Sequence, residues 1–330
     1  MPFHLRITAD QVIETVDDRL ILSTPDHPDP QYLPLTQIKA IQVFGDTYIA
    51  TGVIQRLLHH KIPTTFFDRH GKFLGRLEPK TSKSTALIRA QVQLSDDHRL
   101  QIYRAIIHTC LKQRRSLLQR ASRDRNINLT PQIEEMANLL RYFNPKFPKL
   151  HPTSIDACRG YFGSGMQIYW GVFPELLNAP FPWRSRQGNS PANLMLEFLY
   201  SLLQDAIWNA LEASALDPWL GITRSPHHSS PFPPLAMDLA TEFQIYAEAL
   251  VLRAVNRGQI AVKDFAGCEG RLPAIACTTL AELFDYKMAE SFTHPVIQER
   301  CTYQEAIAIQ VSLYADFLLG KREYVPLLLK

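Results

Sequence analysis

The hydrophobic period of this chain changes once, near Ser84, and that change constrains the fold more than any other feature. Before it, residues 4–8, 20–23, 38–44, 63–67 and 73–77 are short runs rich in branched and aromatic side chains, each bounded by Asp, Gly or Pro. Such runs read as strands. The exception is the stretch from Ile49 to His60, where Ile49, Val53, Leu57 and His60 recur at helical spacing and predict a short helix on a small sheet. After Ser84 the period is 3.6 and no convincing strand follows. Helices are expected over 85–124, 131–142, 154–173, 191–214, 235–257, 278–290 and 302–318, separated by Pro-rich or Gly-containing breaks. The expectation is an α+β chain: a small N-terminal β-sheet domain with one short helix over 1–80, then a larger all-helical C-terminal domain over 81–330.

A length of 330 residues suits two such domains. No apolar run approaches the ~20 residues that cross a bilayer. The start Met1-Pro2-Phe3-His4 lacks a basic segment followed by an apolar one, so neither export nor membrane insertion is expected. Five scattered cysteines, Cys110, Cys158, Cys268, Cys277 and Cys301, show no paired spacing of a zinc site and read as reduced thiols of a cytoplasmic protein. A net charge of +3 is mild, so nucleic-acid binding has to come from where the arginines are placed.

Two linkers stand out, 143–149 and the Pro-rich 225–234. The prolines of the second remove backbone donors and forbid helix, which predicts an exposed loop. The 85–124 segment carries Arg104, His108, Lys112 and Arg115 at spacings of four, four and three. That is one helix face, a basic stripe whose plainest reading is a solvated surface. A second cluster, Trp183-Arg184-Ser185-Arg186-Gln187, precedes Pro191-Ala192-Asn193 at a helix start. Guanidinium forks beside free backbone N–H groups suit anionic oxygens, although the pattern alone is weak.

In their order and spacing these segments resemble the Cas-one family of CRISPR adaptation endonucleases. The more specific positions are Arg159-Gly160 opening a helix with Tyr169 near its end, the Arg184 to Arg186 cluster, and Asn193 before Tyr200-Ser201-Leu202-Leu203. Leu216-Asp217-Pro218 with Leu220-Gly221, Leu235-Ala236-Met237-Asp238-Leu239, Gln310 and the closing Glu323-Tyr324-Val325-Pro326 continue the pattern. The resemblance implies a dimer through the β domains, with a small Cas-two protein bridging two dimers on protospacer DNA. It also implies joining of a 3′ hydroxyl to the CRISPR repeat, chemistry that needs Mg or Mn.

The same resemblance places the family's metal ligands, a Glu, a His and a further acid, on Phe162, Arg224 and Thr241. Phe162 offers no donor atom, Arg224 brings a fixed positive charge, and Thr241 keeps only a neutral hydroxyl, a poor substitute for a carboxylate. Asp238 remains, and a guanidinium near it would pair with that carboxylate or hold a DNA phosphate; a solvent-facing Arg224 is the alternative. The expected function is therefore a DNA-binding CRISPR adaptation protein, catalytically inactive, with no metal or other cofactor. The residues expected on DNA are Lys112, Arg115, Arg159, Arg184, Arg186, Asn193 and Arg224. Partners implied are DNA, a second copy, and a Cas-two protein, an active homologue or a reverse transcriptase. Two other readings stay open: a metal site rebuilt from Asp238, Glu242 and His227 or His228, and a scaffold that has lost DNA. A helical 235–257 turns Glu242 ~100° from Thr241, away from Asp238.

Overall fold

The structure, a computed structural model, describes all residues except 1, 2, 9, 10, 25, 26, 145, 179, 180, 184, 227–229 and 330. The chain divides into two compact units, residues 1–82 with 272–277, and residues 83–271 with 278–330.

The first unit contains β1 (Phe3–Ile7), β2 (Val12–Val16), β3 (Arg19–Thr24), β4 (His27–Pro34), β5 (Ile38–Phe44), β6 (Tyr48–Ile49), α1 (Thr51–His59), β7 (Thr64–Phe67) and β8 (Phe73–Leu77). They form two four-stranded sheets, ordered β1-β5-β7-β8 and β4-β3-β2-β6. Strand β5 lies between two parallel neighbours, β1 and β7, and is buried on both faces. That is why its sequence is a nearly continuous apolar run. Its one inward polar side chain, Gln42, accepts from Arg6 Nε at 3.0 Å, across the register pair the two residues make. Ile7, Ile13, Leu20, Ile41, Val43, Val53 and Leu57 close the core of this unit.

Three strands, β2, β4 and β6, lie outside the runs that the sequence marked. Strand β4 contains Pro28 and Pro30, which argue against a central strand. Its place at a sheet edge removes the objection, because edge strands tolerate a missing donor.

The second unit contains α2 (Thr85–Val92), α3 (Asp96–Arg125), α4 (Thr130–Leu140), α5 (Ile155–Val172), α6 (Pro191–Ala213), α7 (Pro234–Ala240), α8 (Gln244–Asn256), most of α9 (Ala274–Ala289), a hairpin of β9 (Ser291–Thr293) and β10 (Arg300–Thr302), and α10 (Tyr303–Leu318). Helix α6 is its axis: Leu196, Leu199, Leu203, Ile207 and Leu211, spaced three and four apart, are all essentially inaccessible.

Three expectations for this unit need correction. The segment 85–124 is two helices, because Ser95 caps α3 through the N–H of His98 and Asp96 and Asp97 complete an N-terminal signature. The segment 235–257 is also two helices, parted at Thr241, Glu242 and Phe243. A short antiparallel hairpin, β9 with β10, stands where no strand was expected. Of the described residues of the Pro-rich loop, Ser225, Pro226 and Pro231 are exposed, as expected, but its end is not. Phe232, Pro233 and Pro234 are buried, and Pro234 occupies the first turn of α7, where a missing N–H costs nothing.

Candidate functional site

The loop after Gly221 is folded around one carboxylate. Asp238 on α7, 3% exposed, receives five hydrogen bonds. Oδ2 accepts the backbone N–H of Ile222 at 2.7 Å, of Thr223 at 2.9 Å and of Arg224 at 3.3 Å. Oδ1 accepts from Thr223 Oγ1 at 3.0 Å and from Arg224 Nη1 at 2.9 Å. Three successive N–H groups form a nest that an anion ordinarily fills, and here the chain supplies the anion itself. Gly221 lets the loop come this close: a Cβ there would stand 2.3 Å from the carbonyl oxygen of Arg224 and 2.8 Å from Pro234.

Two arginines hold the loop from outside. Arg99 of α3 donates Nη1 to the carbonyls of Gly221 and Ile222, each at 2.8 Å. Arg159 of α5 donates Nη2 to the carbonyl of Thr223 at 2.7 Å and Nη1 to Asp156 at 2.9 Å. Tyr103 lies one turn beyond Arg99 on the same face of α3. Burial pushes the Tyr103 hydroxyl above its ordinary value, while Arg224 and Arg159 draw it back down.

The positions that the resemblance assigns to metal ligands do not fit a divalent cation. Phe162, half-buried on α5, has no donor atom. Arg224 is turned onto Asp238, so the guanidinium stands where a cation would need that carboxylate. Thr241 donates Oγ1 back to the carbonyl of Met237 at 3.2 Å. Glu242 is buried and bound elsewhere, accepting from Tyr324 Oη at 2.5 Å, from the Leu327 N–H at 2.5 Å and from Gln310 Nε2 at 3.0 Å. These partners come from α10 and the C-terminal segment, and the chain between α7 and α8 is a turn at 241–243 and not the one continuous helix expected. Among the described residues, no three His, Cys, Asp or Glu side chains are grouped to hold a metal. His227 and His228 lie outside the described residues.

The other residues expected on DNA are placed unevenly. Lys112 is exposed on α3. Arg115, half-buried, donates Nε to the carbonyl of Ile133 at 3.2 Å. Arg104 leans on His151, with Nη1 3.4 Å from Nδ1. His108 is held toward its neutral form, first by burial and then by Lys112 and His151. Arg184 lies outside the described residues. Arg186 pairs with Glu197 at 2.8 Å and covers the rings of Trp170 and Tyr200 at 5.6 and 5.3 Å, a cation–π arrangement. Asn193, buried, closes the loop before α6 by donating Nδ2 to the carbonyl of Ser185 at 2.9 Å.

Sequence reasoning passed over a buried ion pair. Arg114 of α3 pairs with Glu248 of α8, both side chains wholly inaccessible, and Tyr200 donates Oη to Glu248 at 2.7 Å. The signal was present: Arg114 follows Ile107 and Cys110 and precedes Leu117 and Leu118 on the apolar side of α3. A charge on such a stripe requires a buried partner.

The sheet unit and the helical unit make up an architecture seen in solved proteins. A CAS1 protein from Thermotoga maritima superposes with a TM-score of 0.78 at 20% identity, over 98% of this chain and 99% of that one. A casposase bound to integration product gives 0.83 at 20% identity, over 99% and 93%. At these identities the likeness speaks for the fold. The family is fixed by sequence: the model for CRISPR associated protein Cas1 matches residues 5–277, and the chain belongs to that family. It is 28% identical to CRISPR-associated endonuclease Cas1 2 of Rhodospirillum rubrum, over 89% of this chain and 88% of the relative. It is equally similar to CRISPR-associated endonuclease Cas1 1 of Chlorobaculum tepidum, at 28% over 93% and 92%. Among the described residues no helix is long and apolar enough to cross a membrane.

Proposed function

We propose that this Cas1-family protein serves CRISPR adaptation as a DNA-binding, catalytically inactive subunit. One observation carries the reading: Asp238, the acid that remains, is saturated by five donors that include the Arg224 guanidinium. A carboxylate so engaged has no lone pair left for a metal, Phe162 adds none, and Thr241 offers only a neutral hydroxyl held on the Met237 carbonyl. Without a divalent ion, nothing polarises the phosphoryl oxygens or stabilises the attacking and leaving oxygens of a strand transfer.

DNA, as protospacer or CRISPR repeat, is the proposed ligand, approached through exposed Lys112 and the partly exposed Arg159, Arg186 and Arg224. A second copy docks through the N-terminal unit. A Cas2 protein or a reverse transcriptase is the proposed further partner. The Cas6-RT-Cas1–Cas2 complex supports this, since the fold match to it has a TM-score of 0.81 at 22% identity, with all of this chain aligned to 36% of that one.

The test is binding and turnover on the same DNA. With ~4 to 6 phosphates contacted per protomer, log affinity falls against log salt with a slope near ~4 to 5, in EDTA as in Mg²⁺ or Mn²⁺. Charge reversal at Lys112 lowers affinity on every sequence, because phosphate contacts position DNA without reading it. A flat salt dependence would favour a scaffold that has lost DNA. Metal-dependent cutting or joining that disappears in Asp238→Ala would overturn the inactive assignment.

A further inference from the structure

Two guanidinium groups are fixed on consecutive residues of one loop. Arg159 holds the carbonyl of Thr223, and Arg224 turns onto Asp238, whose other bonds come from the same two residues and Ile222. Arg99 pins the loop from the α3 side, and Tyr103, four residues on along the same helix face, lies close enough to Arg224 and Arg159 to feel both charges. Neither arginine is enclosed: the side chain of Arg224 is 36% exposed and that of Arg159 is 50% exposed.

Arg224 spends only Nη1 on the carboxylate. Among the described residues its Nε and Nη2, and the hydroxyl of Tyr103, have no hydrogen-bond partner. Tyr103 keeps its proton, so its O–H is a donor. Each of these free groups can therefore donate, and only the Tyr103 oxygen can also accept. The charges are three guanidiniums, Arg99, Arg159 and Arg224, against two carboxylates, Asp156 and Asp238, so the rim keeps a positive excess. Phe162, one turn along α5 from Arg159, brings no opposing carboxylate.

Building on the DNA-binding reading above, we infer that Tyr103, Arg159 and Arg224 form an anion site for one phosphate, which in use is a backbone phosphodiester of DNA held without a metal. A planar guanidinium with an open edge, a second one nearby and a hydroxyl donor match the tetrahedral oxygens of phosphate. The internal pair with Asp238 orients Arg224 and lowers the entropy lost on binding. The pocket thus carries the opposite sign from a cation site, and occupancy does not lead to chemistry.

The experiment uses the full chain in EDTA on a fluorescent duplex, comparing wild type with Arg224→Gln, Arg159→Gln, Arg224→Lys and Tyr103→Phe over a salt series. Arg224→Gln and Arg159→Gln should each reduce the salt slope by about one, which is about eightfold in affinity at 0.1 M salt relative to 1 M. Arg224→Lys keeps the slope, which separates charge from simple folding loss, and thermal unfolding checks each variant. Tyr103→Phe lowers affinity without changing the slope. Inorganic phosphate, added at constant ionic strength, should compete more strongly against wild type than against Arg224→Gln if the pocket takes phosphate as such. Equal competition restricts the site to the phosphodiester, provided the slopes change as stated. DNA binding whose slope is untouched by both glutamine variants overturns the site and leaves the DNA-binding reading standing. No DNA binding by wild type overturns both.

Discussion

Glu242 and Leu327, 85 residues apart in the chain, are joined by a 2.5 Å bond from the backbone N–H of Leu327 to Oε2 of the carboxylate. Tyr324 and Gln310 donate to the same group, so one buried acid holds the irregular C-terminal segment in place. Burial pushes its pKa up to about 7, against the opposing pull of those three donors. A folded-state value above the unfolded one means that the stabilisation is complete below about 4.5 and is lost as pH rises through about 7. The difference is at most about 3 kcal/mol. Glu242→Gln should abolish this slope. Urea unfolding of wild type and variant between pH 4.5 and 8 measures it, and parallel curves would refute the assignment.

Arg114 and Glu248 form a pair with no solvent to screen it. Removing one partner leaves a buried charge, so Glu248→Gln or Arg114→Met should cost about 3–5 kcal/mol. Replacing both with apolar side chains should cost less than the two single changes together. A double-mutant cycle in denaturant reads this directly. Additive losses would mean that the two residues do not depend on each other.

Gly221→Ala places a methyl against the backbone of Arg224, the Pro234 ring and Asp238. Two of these neighbours are backbone or ring atoms that yield little, so the expected loss is about 1–3 kcal/mol. The loop should loosen with it, seen as faster amide exchange at Ile222 and Thr223. Unchanged protection there would show that the loop has room that these contacts deny.

Saturating Mn²⁺ or Mg²⁺ should leave the unfolding temperature unchanged. A cation bound only by the folded chain would stabilise it by about 2.7 kcal/mol at one hundred times its dissociation constant. A metal-dependent rise that vanishes in Asp238→Asn would show that the five donors give way to a cation.

Much of this could be read from residue order alone. The switch of period at Ser84 separated sheet from helix because periods of 2 and 3.6 place side chains on incompatible faces. Ser95 with Asp96 and Asp97 carries a capping signal for the start of α3, which the single helix expected over 85–124 passed over because the apolar pattern runs across it. Strand β4 was hidden by its prolines, which only an edge position excuses. Asn193 and Arg186 had the residue types of a phosphate seat; their hydrogen bonds to Ser185 and Glu197 depend on how the loop folds over α6.

The sequence by itself determined the division into a sheet unit and a helical unit, the family, and the identity of the side chains at positions 162, 224, 238 and 241. These follow from local periodicity and residue type. Only the tertiary structure decided what those side chains do: that Arg224 turns inward onto Asp238, that Glu242 belongs to the C-terminal segment, and that Arg99, Tyr103 and Arg159 surround the loop. A guanidinium beside a Pro-rich segment is equally able to face water or a carboxylate. Which it meets is set by the packing of α3, α5 and α7, elements far apart in the chain whose approach no local pattern encodes.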